Sequence, residues 1–514
     1  MSRAKKLFHN TILLTATAFL MRTVSVSFNV YLTNKIGADG IGLFQLIAAV
    51  YGMAITFASA GIRLASMRLV ADNLTERKHS ERQIMRLCIF YSLVCGMLIA
   101  CVLGIFSDII GEKWICDTRS IPSLRVLSLS LPFVAVSAAL GGYFTAVGKL
   151  VRYTAVQFAE QVFKISVTVF SLRSVISYGL EASCVAIVFG MTSAEIFSAF
   201  CSYLLYRFST DNPDKKESSR PIVRNMLRIA IPDAVGAEMR SILMTVEHLL
   251  IPVGFRKSGS NGITAMATYG IIHGMALPLV LYPSALLSSL SGLLVPEISA
   301  QHIAKNNARI GYMIARVLHI ALIFSIGTAG IMYFNSDELS VAVYGNTDVG
   351  FYTKVLAPLI PVMYMDMTID GMLKGLDQQV SYMRYNIIDA GICVIFVYLL
   401  VPVFAVKGYI MVVFMSEIIN FALSFRRLTK VSEVRIDLFR DIVIPLLCVI
   451  SAGSIKSIVC SMLIPVMSDK PAAVCSIGIS SAVYFILLRI FNAINNEELV
   501  WAKKLTAQKV KTHG

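Results

Sequence analysis

Residues 11–32 read TILLTATAFLMRTVSVSFNVYL. About 20 apolar residues at 1.5 Å per residue cross the hydrocarbon core of a bilayer, so this stretch is long and apolar enough to be a membrane helix. Yet Arg22 stands in its middle third. A guanidinium stays charged at any physiological pH, and facing lipid is costly for it. Arg22 must therefore meet a partner or a water-filled cavity that other helices build. A second stretch, 227–252, places Met239-Arg240 much as the first places Met21-Arg22. Two intramembrane arginines, one heading each half of the chain, point to a shared role.

The rest of the chain supports a membrane setting. It has 514 residues, is 56% hydrophobic and only 15% charged, with a mean hydropathy of +0.71; soluble domains run about 45–50% apolar and 25% charged. The net charge of +15 is better read as the Lys/Arg excess of cytoplasmic loops than as a nucleic-acid surface. The ten cysteines contain no CxxC, and most lie in apolar runs, so neither zinc nor a disulfide framework is implied. The basic N-terminus followed by an apolar run reads as an uncleaved first helix rather than a signal peptide.

Fourteen spans are expected, near residues 9–32, 42–70, 84–110, 122–147, 151–173, 181–206, 225–252, 264–294, 308–334, 354–376, 381–403, 406–427, 440–466 and 471–492. With the N-terminus in the cytoplasm, Lys and Arg outside the spans concentrate on the cytoplasmic side, which places both termini inside. The chain also repeats itself. Arg125-Val126-Leu127, Pro132, Gly142, Val151 and Tyr153 recur as Lys354-Val355-Leu356, Pro361, Gly371, Val380 and Tyr382, each pair 229 positions apart. Spans 4–5 thus map onto spans 10–11, and span 1 onto span 7. The implied organisation is an all-α polytopic protein: an N-lobe over residues 1–206, a cytoplasmic linker over 207–224, a parallel C-lobe over 225–428, and spans 13–14 with a cytoplasmic tail over 429–514.

No nucleotide loop, metalloprotease motif or nucleophile elbow occurs, so the chain is not expected to be an enzyme. If it moves a solute, the energy comes from an ion gradient, the membrane potential or consumption of the product. Arg22, Arg63, Lys164 and Arg240 are the candidate ligand-binding cations. Arginines facing a cavity suit phosphate oxygens, which the guanidinium fork binds in pairs; structural ion pairing is the plainer alternative, and Lys164 lies four residues after Glu160, where a helical ion pair is the default. Arg68, Arg86, Arg125, Arg316 and Lys456 lie nearer span ends, where snorkelling accounts for them. Asp233 follows Pro232, where a broken helix frees carbonyls for a cation, and Asn386 with Asp389 completes a possible sodium or proton site. His248 and His273 read as packed polar residues, and the glycines and prolines within spans as packing or bending points.

Residues 61–72, GIRLASMRLVAD, and 37–45, GADGIGLFQ, resemble the span-2 motif and the span 1–2 link of the polysaccharide flippase branch of the multidrug/oligosaccharidyl-lipid/polysaccharide exporter superfamily. That branch contains stage V sporulation protein B and the lipid II flippases. The chain departs from it at Arg63, where proline is usual, and at Phe28, where lipid II flippases carry a second span-1 arginine. The resemblance implies two six-helix lobes around a V-shaped cavity and a groove at spans 13–14 for a lipid tail. It implies a cargo of undecaprenyl-diphosphate-linked sugar turned from the inner to the outer leaflet, with a peptidoglycan precursor favoured. Arg22, Arg240 and Arg63 or Lys164 would meet the diphosphate, with Asp233, Asn386 and Asp389 as the cation site. No cofactor is expected beyond Na+ or H+ as coupling ion. The expected partners are the polyprenyl-linked saccharide, the lipid bilayer and cell-wall synthesis enzymes, with no nucleic acid and a monomer sufficient. The expected location is a bacterial cytoplasmic membrane, with sporulation entering through the resemblance alone. A cation-coupled multidrug exporter of the same superfamily is the alternative, and a membrane glycan polymerase a second one.

Overall fold

The computed structural model describes residues 3–76, 80–209, 220–432, 437–463 and 469–493, which are helical throughout apart from short turns, with no strand among them. Most of the expected linker and the C-terminal tail lie outside the described residues. The main helices are α1 (Arg3–Ser59), α2 (Ile62–Glu76), α3 (Glu81–Ile105), α4 (Ile121–Ser128), α5 (Leu131–Ala146), α6 (Leu150–Val175), α7 (Leu180–Ser209), α8 (Arg220–Lys257) and α9 (Gly262–Tyr269). Then follow α10 (Leu277–Leu281), α11 (Ser284–Ile303), α12 (Asn307–Phe334), α13 (Ser336–Tyr344), α14 (Thr347–Leu356), α15 (Ile360–Gly375), α16 (Gln379–Val431), α17 (Ile444–Leu463) and α18 (Asp469–Ile490).

Among the described residues, nine helical stretches are long and apolar enough to cross a membrane, or ten if Thr118–Ser128 and Leu131–Ala146, bent by 48°, form one span. The expected count of fourteen is not matched one for one. Two of the nine, Phe19–Leu74 and Gln379–Val431, have 56 and 53 residues, enough at 1.5 Å per residue to cross twice. Each is broken within: α1 at Gly37 (φ 70°, ψ −178°) and α16 at Ala405 (φ 50°, ψ −130°). Conversely α6 and α8, 26 and 38 residues long, fall short in hydropathy. They carry Glu160, Lys164, Asp233, Glu238 and Arg240.

The 229-residue repeat is visible in the backbone. Helix α5 starts at Leu131 and α15 at Ile360, each one residue ahead of the repeated proline; α6 starts at Leu150 and α16 at Gln379. Cys116 and Gly345 both adopt left-handed backbone, and each is followed by an N-cap, Asp117 or Asn346, whose side chain accepts from a backbone N–H two residues on. The repeated glycines serve the same packing: a Cβ on Gly142 would lie 2.0 Å from Ser66 Oγ, and one on Gly371 would lie 2.9 Å from Ser291 Cβ.

The described chain falls into two compact units, which follow packing rather than sequence order. Unit 1 comprises residues 1–34, 271–393 and 407–514; unit 2 comprises 35–270 and 394–406. Unit 2 therefore holds α8, the first helix of the second half. Gly61 in unit 2 shows why α2 and α8 touch there: its φ is 69°, and a Cβ would sit 2.2 Å from the Ala230 carbonyl oxygen. Only glycine fits both demands. The core of unit 2 gathers Ile62, Met85, Leu140, Tyr143, Phe144 and Tyr206.

Unit 1 includes the C-terminal helix pair, whose core joins Ile323 and Ile326 of α12 to Val449 of α17 and Tyr484 of α18. Tyr484 donates to the Ile323 carbonyl at 2.8 Å. Lys456 does not snorkel. It is buried, and its Nζ donates to the Phe334 carbonyl (2.8 Å) and to Glu338 (2.5 Å). Phe334 ends α12, so the ammonium satisfies an orphan carbonyl at the negative end of the helix dipole. Arg125, also assigned to snorkelling, pairs with Asp108 at 2.8 Å.

Candidate functional site

In unit 1 the polar residues of α1 lie along the irregular part of the helix that follows α9. Residues 270–276 form a wide π turn, and Pro283 interrupts the chain between α10 and α11. At the break Ala285 N–H bonds to Tyr282 O instead of reaching back to Leu281 O. The released Leu281 carbonyl accepts from Ser284 Oγ (2.7 Å) and from Arg22 Nη2 (3.1 Å). Thr23 shares a hydrogen bond with Tyr282 Oη (3.1 Å), and Asn29 Nδ2 donates to Gly274 O in the π turn (2.8 Å). Asn29, seven residues from Arg22 and so on the same helical face, is a contact that the sequence reading missed.

The same unit gathers a carboxylate group. Asp389 accepts from Ser416 Oγ at 2.7 Å, and Asn386 Nδ2 donates to Tyr382 O at 3.0 Å. Asp366 on α15 is buried and accepts from Asn420 Nδ2 at 2.9 Å through Oδ2, while its Oδ1 has no hydrogen-bond partner among the described residues. The Asp366 and Asp389 charges act on one another. The sequence reading does not assign Asp366 to the cation site; its i,i+3 and i,i+4 neighbours carry no sign of Asn420, which lies 54 residues on. Asp233, the third expected member, stands half-buried on α8 in unit 2, where the Arg68 charge acts on it.

Unit 2 holds the other three expected cations. Arg63 is exposed on α2, and its charge acts on Tyr153. Arg240 is half-buried on α8 and has no hydrogen-bond or ion-pair partner among the described residues. Lys164 differs, since two carboxylates, Glu160 and Glu195, act on it. The packing of α6 against α7 explains why. The rings of Phe163 and Phe197 stack with centroids 4.7 Å apart, and a Cβ on Gly190 would meet Thr168 Oγ1 at 2.0 Å. Those contacts set an antiparallel register in which Lys164 stands level with Glu195 and Glu160 level with Ser198, whose hydroxyl donates to it.

Elsewhere in this unit Arg119 braces the link after Gly37, pairing with Asp39 (2.9 Å) and Asp117 (2.6 Å). His248 bonds Tyr269 at 3.0 Å, and in unit 1 His273 bonds Tyr409, as packed polar residues do. Unit 1 also contains an apolar cavity of about 410 Å³. Its walls include Leu322, Ile326 and Tyr333 of α12, Pro361 of α15, and Leu446 and Val449 of α17.

A family profile described as polysaccharide biosynthesis protein matches residues 7–300, more than half of the chain. The chain belongs to that family. Among curated relatives, it is 22% identical over 506 residues to stage V sporulation protein B of Bacillus subtilis (strain 168), covering 96% of this chain and 98% of the relative. Among solved structures it is similar to the lipid II flippase MurJ in an inward closed conformation, with a TM-score of 0.72 at 14% identity over 93% of this chain and 98% of that one. It is also similar to an inward-facing multidrug resistance MATE family transporter, with a TM-score of 0.63 at 12% identity over 82% of this chain and 98% of that one. At such identities the structures establish the fold. This polysaccharide biosynthesis protein is thus an all-helical, multi-pass membrane protein with the flippase and transporter fold, and the solved examples of that fold bear the names of transporters, not of enzymes.

Proposed function

We propose that this protein is a secondary transporter that turns a polyprenyl-diphosphate-linked oligosaccharide across the cytoplasmic membrane by alternating access. A lipid II-like precursor or another cell-envelope intermediate is the cargo, and both termini are cytoplasmic. The observation that carries the reading is Arg240, a half-buried guanidinium partway along the 38-residue α8 with no partner among the described residues. An uncommitted intramembrane guanidinium is costly unless an anion occupies it during the cycle, and a diphosphate offers the paired oxygens that its fork binds. Of the other cations assigned to the cargo, Arg63 is exposed with the same freedom, Arg22 spends one donor on Leu281 O, and Lys164 faces two carboxylates. The apolar cavity against α17 supplies hydrocarbon for a lipid tail.

We assign cation coupling to Asn386 and Asp389 together with Asp366 within unit 1, and to Asp233 within unit 2 as a separate carboxylate. The MATE-like reading draws on the same carboxylates, because an exporter of organic cations needs buried negative charge. It leaves the C-terminal helix pair, anchored through Lys456 and Tyr484, without a task.

The test is rescue of a bacterium depleted of its lipid II flippase. Wild-type rescue, with loss of rescue by Arg240→Ala at equal membrane abundance, is the expected result. Absence of rescue by an expressed wild type rejects lipid II as cargo, and rescue by both removes Arg240 from the site.

A further inference from the structure

The charged group between α6 and α7 does not balance. Glu160 and Glu195 face one ammonium, Lys164, across the α6–α7 register that the Phe163–Phe197 stack and Gly190 set, and all three side chains are half-buried, Glu195 on α7 within an apolar candidate span. The titratable groups that face them from neighbouring positions are Tyr51 on α1 and Tyr153 on α6. Tyr51 shares a hydrogen bond with Ser130 Oγ (2.6 Å), and Tyr153 donates to Ser137 O (3.5 Å). Arg63 on α2 acts on Tyr153, whereas Lys164 is the cation that acts on the carboxylates. With every group in its usual charge state the group carries one net negative charge, which the membrane interior disfavours.

We infer that Glu160, Lys164 and Glu195 form a proton-binding site in which the two carboxylates hold one proton between them at neutral pH. Two carboxylates that share a site do not both ionise freely, and one proton brings the group from −1 to 0. A metal cation would instead have to sit beside the Lys164 ammonium, which repels it. The proton comes from the water that reaches the half-buried carboxyls, and its release restores the −1 state. Because the cluster joins α6 to α7 by charge, its occupancy gives a proton gradient a point of action on unit 2. That coupling role rests on the transporter reading above, whereas proton occupancy itself does not.

The test is infrared difference spectroscopy of the purified, lipid-reconstituted protein at neutral pH, reading the carbonyl stretch of protonated carboxyl groups and its shift in deuterated water. The wild type is expected to show a band that Glu160→Gln removes, that Glu195→Gln removes to the same extent, and that the double substitution removes no further. Lys164→Gln, which deletes the compensating charge, is expected to enlarge the band toward two equivalents. An unchanged band in both single variants shows two ionised carboxylates and overturns the inference. So do losses that add in the double variant, or a band erased by sodium titration. If one glutamine variant fails to fold, the other and Lys164→Gln still decide, since they move the band in opposite directions. A band that behaves as expected in a protein that fails the rescue assay rejects lipid II transport and leaves the proton site standing.

Discussion

Replacing Lys456 by methionine keeps the length and apolar stem of the side chain and deletes its charge. The structure gives the ammonium two tasks, a hydrogen bond to the Phe334 carbonyl and an ion pair with Glu338. The Lys456 side chain is 8% exposed and that of Glu338 33%. Water screens the Glu338 side, so the pair contributes no more than about 1 kcal/mol. The Phe334 carbonyl is an orphan at the end of α12, and losing a charged donor there costs about 1.5–3 kcal/mol. Together the substitution should destabilise the contact between α12 and α17 by about 1.5–4 kcal/mol, with little dependence on salt because the buried lysine is poorly screened. Thermal unfolding in detergent, compared with Glu338→Gln, measures it; Glu338→Gln should cost the smaller share. Wild-type stability for Lys456→Met would show the ammonium in water at the interface, as snorkelling predicts, and would refute the assignment.

Other substitutions test other joints. Gly61→Ala should cost about 2–4 kcal/mol, combining left-handed backbone with a methyl driven against the Ala230 carbonyl; a fully stable variant in a melting experiment would contradict that close approach. Ala405→Gly should instead stabilise the protein by about 1 kcal/mol, because φ 50° with ψ −130° strains any residue that has a Cβ. A lowered melting temperature would deny the strain. Asn335→Leu should lower stability by about 1–3 kcal/mol by leaving buried Ser476 and Ser480 without their amide partner, and unchanged melting would show that the helix pair does not depend on that contact.

Particular residues show which features were legible in the chain. The 229-residue repeat reads directly because proline and glycine impose local geometry: the kinks ahead of Pro132 and Pro361 follow from a missing N–H wherever the helix packs. The breaks that divide α1 and α16 were legible too: the expected spans stop at 32 and resume at 42, and stop at 403 and resume at 406, on either side of Gly37 and Ala405. The partner of Arg22 was hidden because it is a backbone carbonyl, Leu281 O, left free at the turn around Pro283, more than 250 residues away. Lys456 looked like an interfacial lysine because hydropathy cannot distinguish a span end in water from one capped by another helix. Lys164 was legible as half of a pair with Glu160, one helical turn away, but Glu195 enters only through the register of α6 on α7, which Phe163, Phe197 and Gly190 set. The grouping of residues 1–34 with the second half of the chain, and of α8 with the first, is likewise a matter of packing surfaces rather than of local pattern.

The central claim, transport of a polyprenyl-diphosphate saccharide anchored by Arg240, is tested most directly in proteoliposomes. A labelled polyprenyl-diphosphate saccharide is placed in one leaflet, and its appearance in the other is followed with the purified wild type, Arg240→Lys and Arg240→Ala. The account predicts movement by the wild type, slower movement with lysine, which keeps the charge but not the paired donors, and none above protein-free vesicles with alanine. Vesicles that move an organic cation but leave the saccharide in its original leaflet would contradict it.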